Sequence, residues 1–262
     1  MLNIEINGQS ANVEDVHRVA TWNYGHFTSM QVRDGMVRGL DLHLRRLEGA
    51  SHALFGEKAE HDEGRIRELI RHGLGEERAA SVRVTVVPRV GAPASTDIMV
   101  SVSDPVADAP RQALRVRTAT YERELPHLKH VATMGLTYHW LQAKEAGFDD
   151  VLFVGRDGDL REGSVWNVAF WDEQQVVWPE AHVLPGITQQ LLQAALTRIG
   201  VPWSVRRLTS DDLPVLRAAA ATNSHCPSQP LASIDEVVFP SECRALVDAL
   251  NTAWAEVPWD LI

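Results

Sequence analysis

A chain of 262 residues, 45% hydrophobic and 23% charged, is long enough for one large domain or two small ones with real cores, and its composition is that of a soluble globular protein. With 25 Lys and Arg against 35 Asp and Glu, the net charge of −10 excludes a broad basic surface for nucleic acid and leaves room for a local basic pocket for an anion. Two cysteines without a CxxC spacing exclude a disulfide scaffold and a cysteine zinc site, and no stretch approaches the roughly 20 apolar residues of a membrane span.

The N-terminus, MLNIEINGQS, alternates around Glu5 and lacks a signal peptide's apolar run, so a cytoplasmic protein is expected. LNIEI followed by Asn7-Gly8 predicts a strand entering a tight turn. HFTSMQVR (26–33), Asp34-Gly35 and MVRG predict a second hairpin. From Asp41 the period changes: Leu40, Leu44, Leu47 and Leu54 recur at helical spacing, with Asp41 as the N-cap. HDEGRIRELIRHGL (61–74) predicts another helix, and SVRVTVVP, DIMVSVS and ALRVRTATY predict strands. DPVADAPRQ (104–112) is rich in Pro, Asp and Ala, and YERELPH (121–127) reads as a connection between two halves. A helix is expected from just after Lys129 to about Ala146. Three strands are expected over 150–178, a helix in ITQQLLQAALTRIG after Leu184-Pro185-Gly186, and an amphipathic helix from about Ser241.

Within LPHLKHVATM (125–134), Lys129 sits between Leu128 and Val131 with no acid within three residues. An amine in apolar surroundings is the type of residue that loses its proton and attacks. Glu162 opens a strand after the Asp157-Gly158 turn; composition alone makes it an exposed strand-end acid. Asn167, five residues on in a strand of Val, Trp, Ala and Phe, needs a partner. Gly186, Ile187 and Thr188 place helix-start N–H groups and a hydroxyl where a phosphate binds. Arg46 lies three residues from His43 on one side of its helix. The run Thr222, Asn223, Ser224 offers hydroxyls and N–H groups to an anion, or forms a turn. Together these parts suit a phosphorylated aldehyde cofactor, which needs an amine, an anion site and an acid beside its pyridine nitrogen.

The chain resembles the class IV, or fold-type IV, pyridoxal-phosphate aminotransferases, which include branched-chain aminotransferases, D-amino-acid transaminases and aminodeoxychorismate lyases. The resemblance is carried by NYGHF, HLRRL, LKH, AGFDDVLFVGRDGDLREGSVWNV, LPGIT and TNSHCPSQPLASID. It implies an α+β fold of two domains, like that of D-amino-acid aminotransferase, with pyridoxal 5'-phosphate between them and normally a homodimer. Residues 1–118 would form the N-terminal domain, 119–127 the connection and 128–262 the cofactor-binding domain. By position, Lys129 resembles the Schiff-base lysine and Glu162 the pyridine-nitrogen partner. Arg46, Ile187, Thr188 and Ser224 resemble the phosphate binders, with Gly186 and Asn223 beside them. Leu184 resembles the residue packing the ring and Asn167 its support.

Three departures stand out. Met134 replaces the tyrosine that branched-chain enzymes carry five residues after the lysine. The pattern YGxxxFEG is reduced to YGHFTSMQ, so the pocket's aromatic wall and glycine give way to Ser29 and Gln31. Trp178-Pro179 stands where the family often has Thr-Pro. A branched-chain substrate is therefore not expected. Arg33, Arg83 and Arg89 are candidates for a substrate carboxylate, with Tyr24, His26 and Ser29 lining the pocket and Trp22 in the core. His127, His130 and His139 share no metal-ligand geometry, and no metal is expected. The expected activity moves an amino group between an amino acid or amine and a 2-keto acid. The alternatives are aminodeoxychorismate lyase chemistry and cofactor binding without turnover.

Overall fold

The computed structural model describes all residues except 1–2, 57–61, 90–91, 108, 110 and 242. It divides into two compact units. Residues 1–107, 128–132 and 258–262 form the first, and 108–127 with 133–257 the second.

The first unit opens with the predicted hairpin, β1 (Asn3–Ile6) and β2 (Gln9–Ser10). Asn7 and Gly8 both take positive φ at its tip, the conformation a two-residue hairpin loop demands. Helix α1 (Val13–Thr21) follows, unanticipated by periodicity. It is held by a capping box at Asn12 and buries no residue, so no apolar stripe announces it. Trp22 ends it 40% exposed, not in the core as expected, in keeping with a helix that buries none of its own residues.

Next come β3 (His26–Arg33), β4 (Met36–Val37), α2 (Leu40–Phe55), α3 (Glu63–Leu74), β5 (Ala79–Arg89) and β6 (Ala92–Ser103). The expected start of α3 at His61 lies outside the described residues. Leu40, Leu44 and Leu47 of α2 and Ile66, Leu69 and Ile70 of α3 pack on Met30, Val32, Val82, Val84 and Val100 of the sheet. The N-cap of α2 is Gly39 in the left-handed region, not Asp41, which falls in the first turn. The Leu40 N–H is satisfied by Asp260 Oδ2 at 2.9 Å, a partner that no local reading reveals.

The second unit contains β7 (Leu114–Thr120), α4 (Met134–Glu145), β8 (Asp150–Val154), β9 (Leu160–Gly163), β10 (Asn167–Trp171) and β11 (Val176–Pro179). It continues with α5 (Ile187–Arg198), β12 (Trp203–Arg206), β13 (Ala218–Asn223), β14 (Cys226–Ile234), β15 (Val237–Val238) and α6 (Ala245–Ala255). The chain then returns to the first unit as β16 (Asp260–Leu261). Residues 150–179 hold four strands, not three, because a Gly163 N–H to Trp166 O bond turns the chain between β9 and β10.

The first sheet runs β16-β4-β3-β5-β6-β1-β2. In the second unit β10-β13-β14-β7-β8-β9 pair in turn and β9 pairs back with β10, which closes a six-strand ring; β11 and β12 extend it. The closing pair is Glu162 opposite Asn167. Alternation sorts the alanine run: Ala219 and Ala221 join Val168 and Phe170 in one core, while Ala218 and Ala220 face Leu192, Leu196, Leu246 and Leu250. Small side chains there let α5 and α6 lie close on the strand. The units divide differently from the sequence partition. Residues 114–120 pair with β14 and β8 of the second unit, and Leu128–Ala132 lies against β3 of the first.

Candidate active site

In the first unit, side chains alternate on β3 between two faces. His26, Thr28, Met30 and Val32 are buried; Ser29, Gln31 and Arg33 are half-buried. Ser29 lies opposite Arg83 of β5 and Phe27 opposite Thr85, so these four share the second face. Lys129 joins them through its backbone: Phe27 N–H donates to Lys129 O at 2.8 Å, and Val131 N–H to Gly25 O at 3.0 Å. Its Nζ lies 4.9 Å from the centre of the Phe27 ring, and the Arg83 guanidinium carbon 3.5 Å from the same centre. One aromatic ring thus carries two cations. Ser29 and Gln31 stand where the family pattern has an aromatic and a glycine, and Phe27 supplies an aromatic two positions earlier on the face that they occupy.

Arg83 donates through Nε to Thr85 Oγ1 at 3.2 Å. No carboxylate pairs with it among the described residues, and burial pushes its pKa down. Arg33 donates to Val32 O at 2.9 Å and Val106 O at 2.6 Å, so its guanidinium is held against backbone. Arg89 pairs with Asp97 at 2.6 Å. Tyr24 is exposed and donates its hydroxyl to Leu54 O at 2.8 Å.

Arg46 is half-buried on α2, three residues after the buried His43. His43 was not among the expected site residues, yet it feels both cations. Burial first, then the charges of Arg46 and Lys129, push its pKa from the ordinary 6.5 down to about 3. The folded state therefore refuses a proton that the unfolded chain accepts. Above pH 6.5 both states are neutral and nothing changes; between 6.5 and about 3 stability falls with pH by about 1.4 kcal/mol per unit. Urea unfolding at pH 7.5 and 5.0 is expected to show a loss of about 2 kcal/mol that His43→Asn does not suffer. Equal losses in both proteins would refute the assignment.

In the second unit the ring's closing pair forms the other group. Glu162 is 7% exposed, not the exposed strand-end acid of composition alone. Its Oε2 accepts from Leu184 N–H at 3.2 Å, while Asn167 Nδ2 donates to Leu184 O at 2.9 Å. The two polar side chains thus satisfy both backbone groups of buried Leu184 and fix the LPG segment. A Cβ on Gly186 would run into Asn167 Oδ1, so glycine is required there for space, not for φ. Gly186 is the N-cap of α5 and supplies no side chain to it. The N–H groups at the start, with buried Ile187 and Thr188, keep the unsatisfied donors of a helix N-terminus.

Thr222 sits across from Asn167 on β13 and donates to its carbonyl at 3.3 Å. Ser224 and His225 form the β13–β14 turn, where Asn223 Oδ1 accepts from His225 N–H at 2.8 Å and Cys226 N–H at 3.0 Å. Thr222 and Asn223 therefore end β13 and only Ser224 of the TNS run lies in the turn, to which the oxygen of Asn223 is committed. Sequence reasoning missed Arg123. Burial lowers its pKa and the Glu162 and Tyr121 charges raise it, so this cation of the connection lies in the field of the buried acid. Its signal, a charge two residues from Tyr121 in YERELPH, is too common to single out.

No curated protein sequence matches the chain. Solved structures do match in fold. The branched-chain amino acid aminotransferase of Escherichia coli superposes with a TM-score of 0.82 at 17% identity, over 97% of this chain and 93% of that one. A branched-chain amino acid aminotransferase from T.th., complexed with N-(5'-phosphopyridoxyl)-L-glutamate, gives 0.86 at 17% identity over 97% and 93%. The fold IV-transaminase CpuTA1 from Curtobacterium pusillum gives 0.79 at 23% identity over 90% and 88%. At these identities the likeness establishes the fold. The family model for amino-transferase class IV matches residues 25–234, a span that contains Arg46, Lys129, Glu162, Thr188 and Ser224, and the chain belongs to that family.

Proposed function

We propose that the protein is a pyridoxal-phosphate-dependent aminotransferase in which Lys129 is the reactive amine. The observation that carries this reading is the family match across residues 25–234, and the phosphopyridoxyl ligand of the T.th. structure supports the choice of cofactor. The residues present suit that group: a buried acid, a half-buried amine beside an aromatic ring, an arginine and a helix start with its backbone donors. When bound, the cofactor supplies an aldehyde that condenses with amines and a pyridine ring that draws electrons from the neighbouring carbon.

Glu162, buried and hydrogen-bonded by the Leu184 N–H, keeps a proton on the pyridine nitrogen. Arg46, Thr188, Ser224 and the first N–H groups of α5 hold the phosphate, with charge and helix dipole both favouring an anion. Gly186, Asn167, Leu184 and Asn223 shape the backbone around these donors. With the cofactor bound, Lys129 Nζ would be the group that takes the proton from the substrate Cα and returns it. Arg83, stacked on Phe27 on the face shared with Ser29, orients the substrate carboxylate, a role guanidinium suits by its paired donors.

The test is a spectral screen of the purified holoprotein with L-amino acids, D-amino acids and simple amines. Conversion of its absorbance to that of the pyridoxamine form, with release of the matching keto acid, is expected for at least one donor. Release of pyruvate and 4-aminobenzoate from aminodeoxychorismate, without any such conversion, would replace transfer by elimination. No change with any donor would leave a binding protein without turnover.

A further inference from the structure

Two buried hydrogen bonds join β3 to α2. Thr28 Oγ1 and His43 Nδ1 lie 2.6 Å apart, and His26 Nε2 and Ser51 Oγ lie 2.9 Å apart. All four residues are at most 4% exposed. His26 and Thr28 alternate on one face of the strand, while positions 43 and 51 are a little over two turns apart on the helix. The leucines that seat α2 make non-directional contacts, which tolerate sliding and rotation. Two directional bonds at separate points do not, and buried polar pairs of this kind define a single arrangement more than they stabilise it.

Arg46 lies between the two anchor positions on α2. The opposite commitment of β3 is to the lysine segment, through the Phe27 N–H to Lys129 O and Val131 N–H to Gly25 O bonds. Residues 25–28 therefore tie Arg46 and Lys129 to the same short piece of strand. The charges of both cations also reach His43, which places them in one neighbourhood.

We propose that the Thr28–His43 and His26–Ser51 bonds are a two-point latch that fixes Arg46 relative to Lys129, so that the phosphate and aldehyde ends of one cofactor are gripped together. This rests on the roles given above to Arg46 and Lys129. The four latch residues are positioning residues and are assigned no contact with the cofactor.

The experiment titrates the apoprotein with pyridoxal 5'-phosphate and reads Kd by absorbance, alongside the melting temperature. Thr28→Val and Ser51→Ala remove one hydroxyl each with little change of shape. Each is expected to raise Kd about tenfold, in line with other losses of supporting hydrogen bonds. The double variant should be little worse than either single one, since freeing one point already releases the helix. His43→Asn, which keeps a polar partner for Thr28, should stay close to wild type, whereas His43→Leu should not. Val100→Ala, in the same core but away from the latch, should lower the melting temperature and leave Kd unchanged.

A wild-type Kd in Thr28→Val and Ser51→Ala overturns the proposal. So does a Kd that follows the melting temperature alike in Val100→Ala and the latch variants. Arg46→Ala separates the two levels. If it weakens binding while the latch variants do not, only the latch fails; if it leaves Kd unchanged, the phosphate role of Arg46 fails and the latch with it.

Discussion

Lys129→Ala is expected to lower transamination by roughly 10³-fold or more, the scale on which a positioned amine works as nucleophile and proton carrier. The loss should not be one of folding. Lys129 is held by its carbonyl, which accepts from Phe27 N–H, and its side chain leaves the core for the face of the Phe27 ring. Lys129→Arg separates charge from chemistry. It keeps a cation over the ring but cannot give up its proton near neutral pH, so it should be as inactive as alanine. Borohydride reduction followed by peptide mass mapping gives a second readout: the wild type should carry the reduced pyridoxyl group on Lys129, and neither variant should be labelled at any other lysine. Label retained on Lys129→Ala, or turnover within tenfold of wild type, would move the reactive amine elsewhere.

The parts of the fold and site that sequence reading reached are those whose causes are local. The leucine spacing of α2, the glycine-led start of α5 and the Asn7-Gly8 turn depend on residues within a few positions of one another. What escaped depends on partners far along the chain. Asp260 caps a helix that begins at Leu40. Thr28 and Ser51 acquire meaning only when β3 and α2 are laid together. Arg123 becomes notable only because Glu162 is close enough to act on its charge. The ring closure of the second unit is a pairing of Glu162 with Asn167, which joins into one structure two polar residues that the sequence singles out separately. Phe27 shows a different failure. A family pattern led attention to what Ser29 and Gln31 lack, while the aromatic ring two positions earlier carried both cations.

Glu162→Gln tests the second unit's half of the chemistry. The amide is nearly isosteric, and its oxygen still accepts from the Leu184 N–H, so the LPG segment and the start of α5 should hold and Kd for pyridoxal 5'-phosphate should change little. What the amide lacks is charge. It cannot stabilise a proton on the pyridine nitrogen, the ring becomes a poorer electron sink, and turnover is expected to fall about 10²- to 10³-fold. Stability should also fall, because the Arg123 charge loses the acid whose field offsets its burial. These two effects have different remedies. Adding Arg123→Gln to Glu162→Gln should recover stability by removing the cation on which the Glu162 charge acted, and it should recover no turnover. Single-turnover absorbance with the best amino donor measures the first effect, and urea unfolding measures the second. Turnover restored in the double variant would mean that Glu162 serves only to neutralise Arg123. Unchanged turnover in Glu162→Gln alone would remove the acid from the reaction and leave its roles structural.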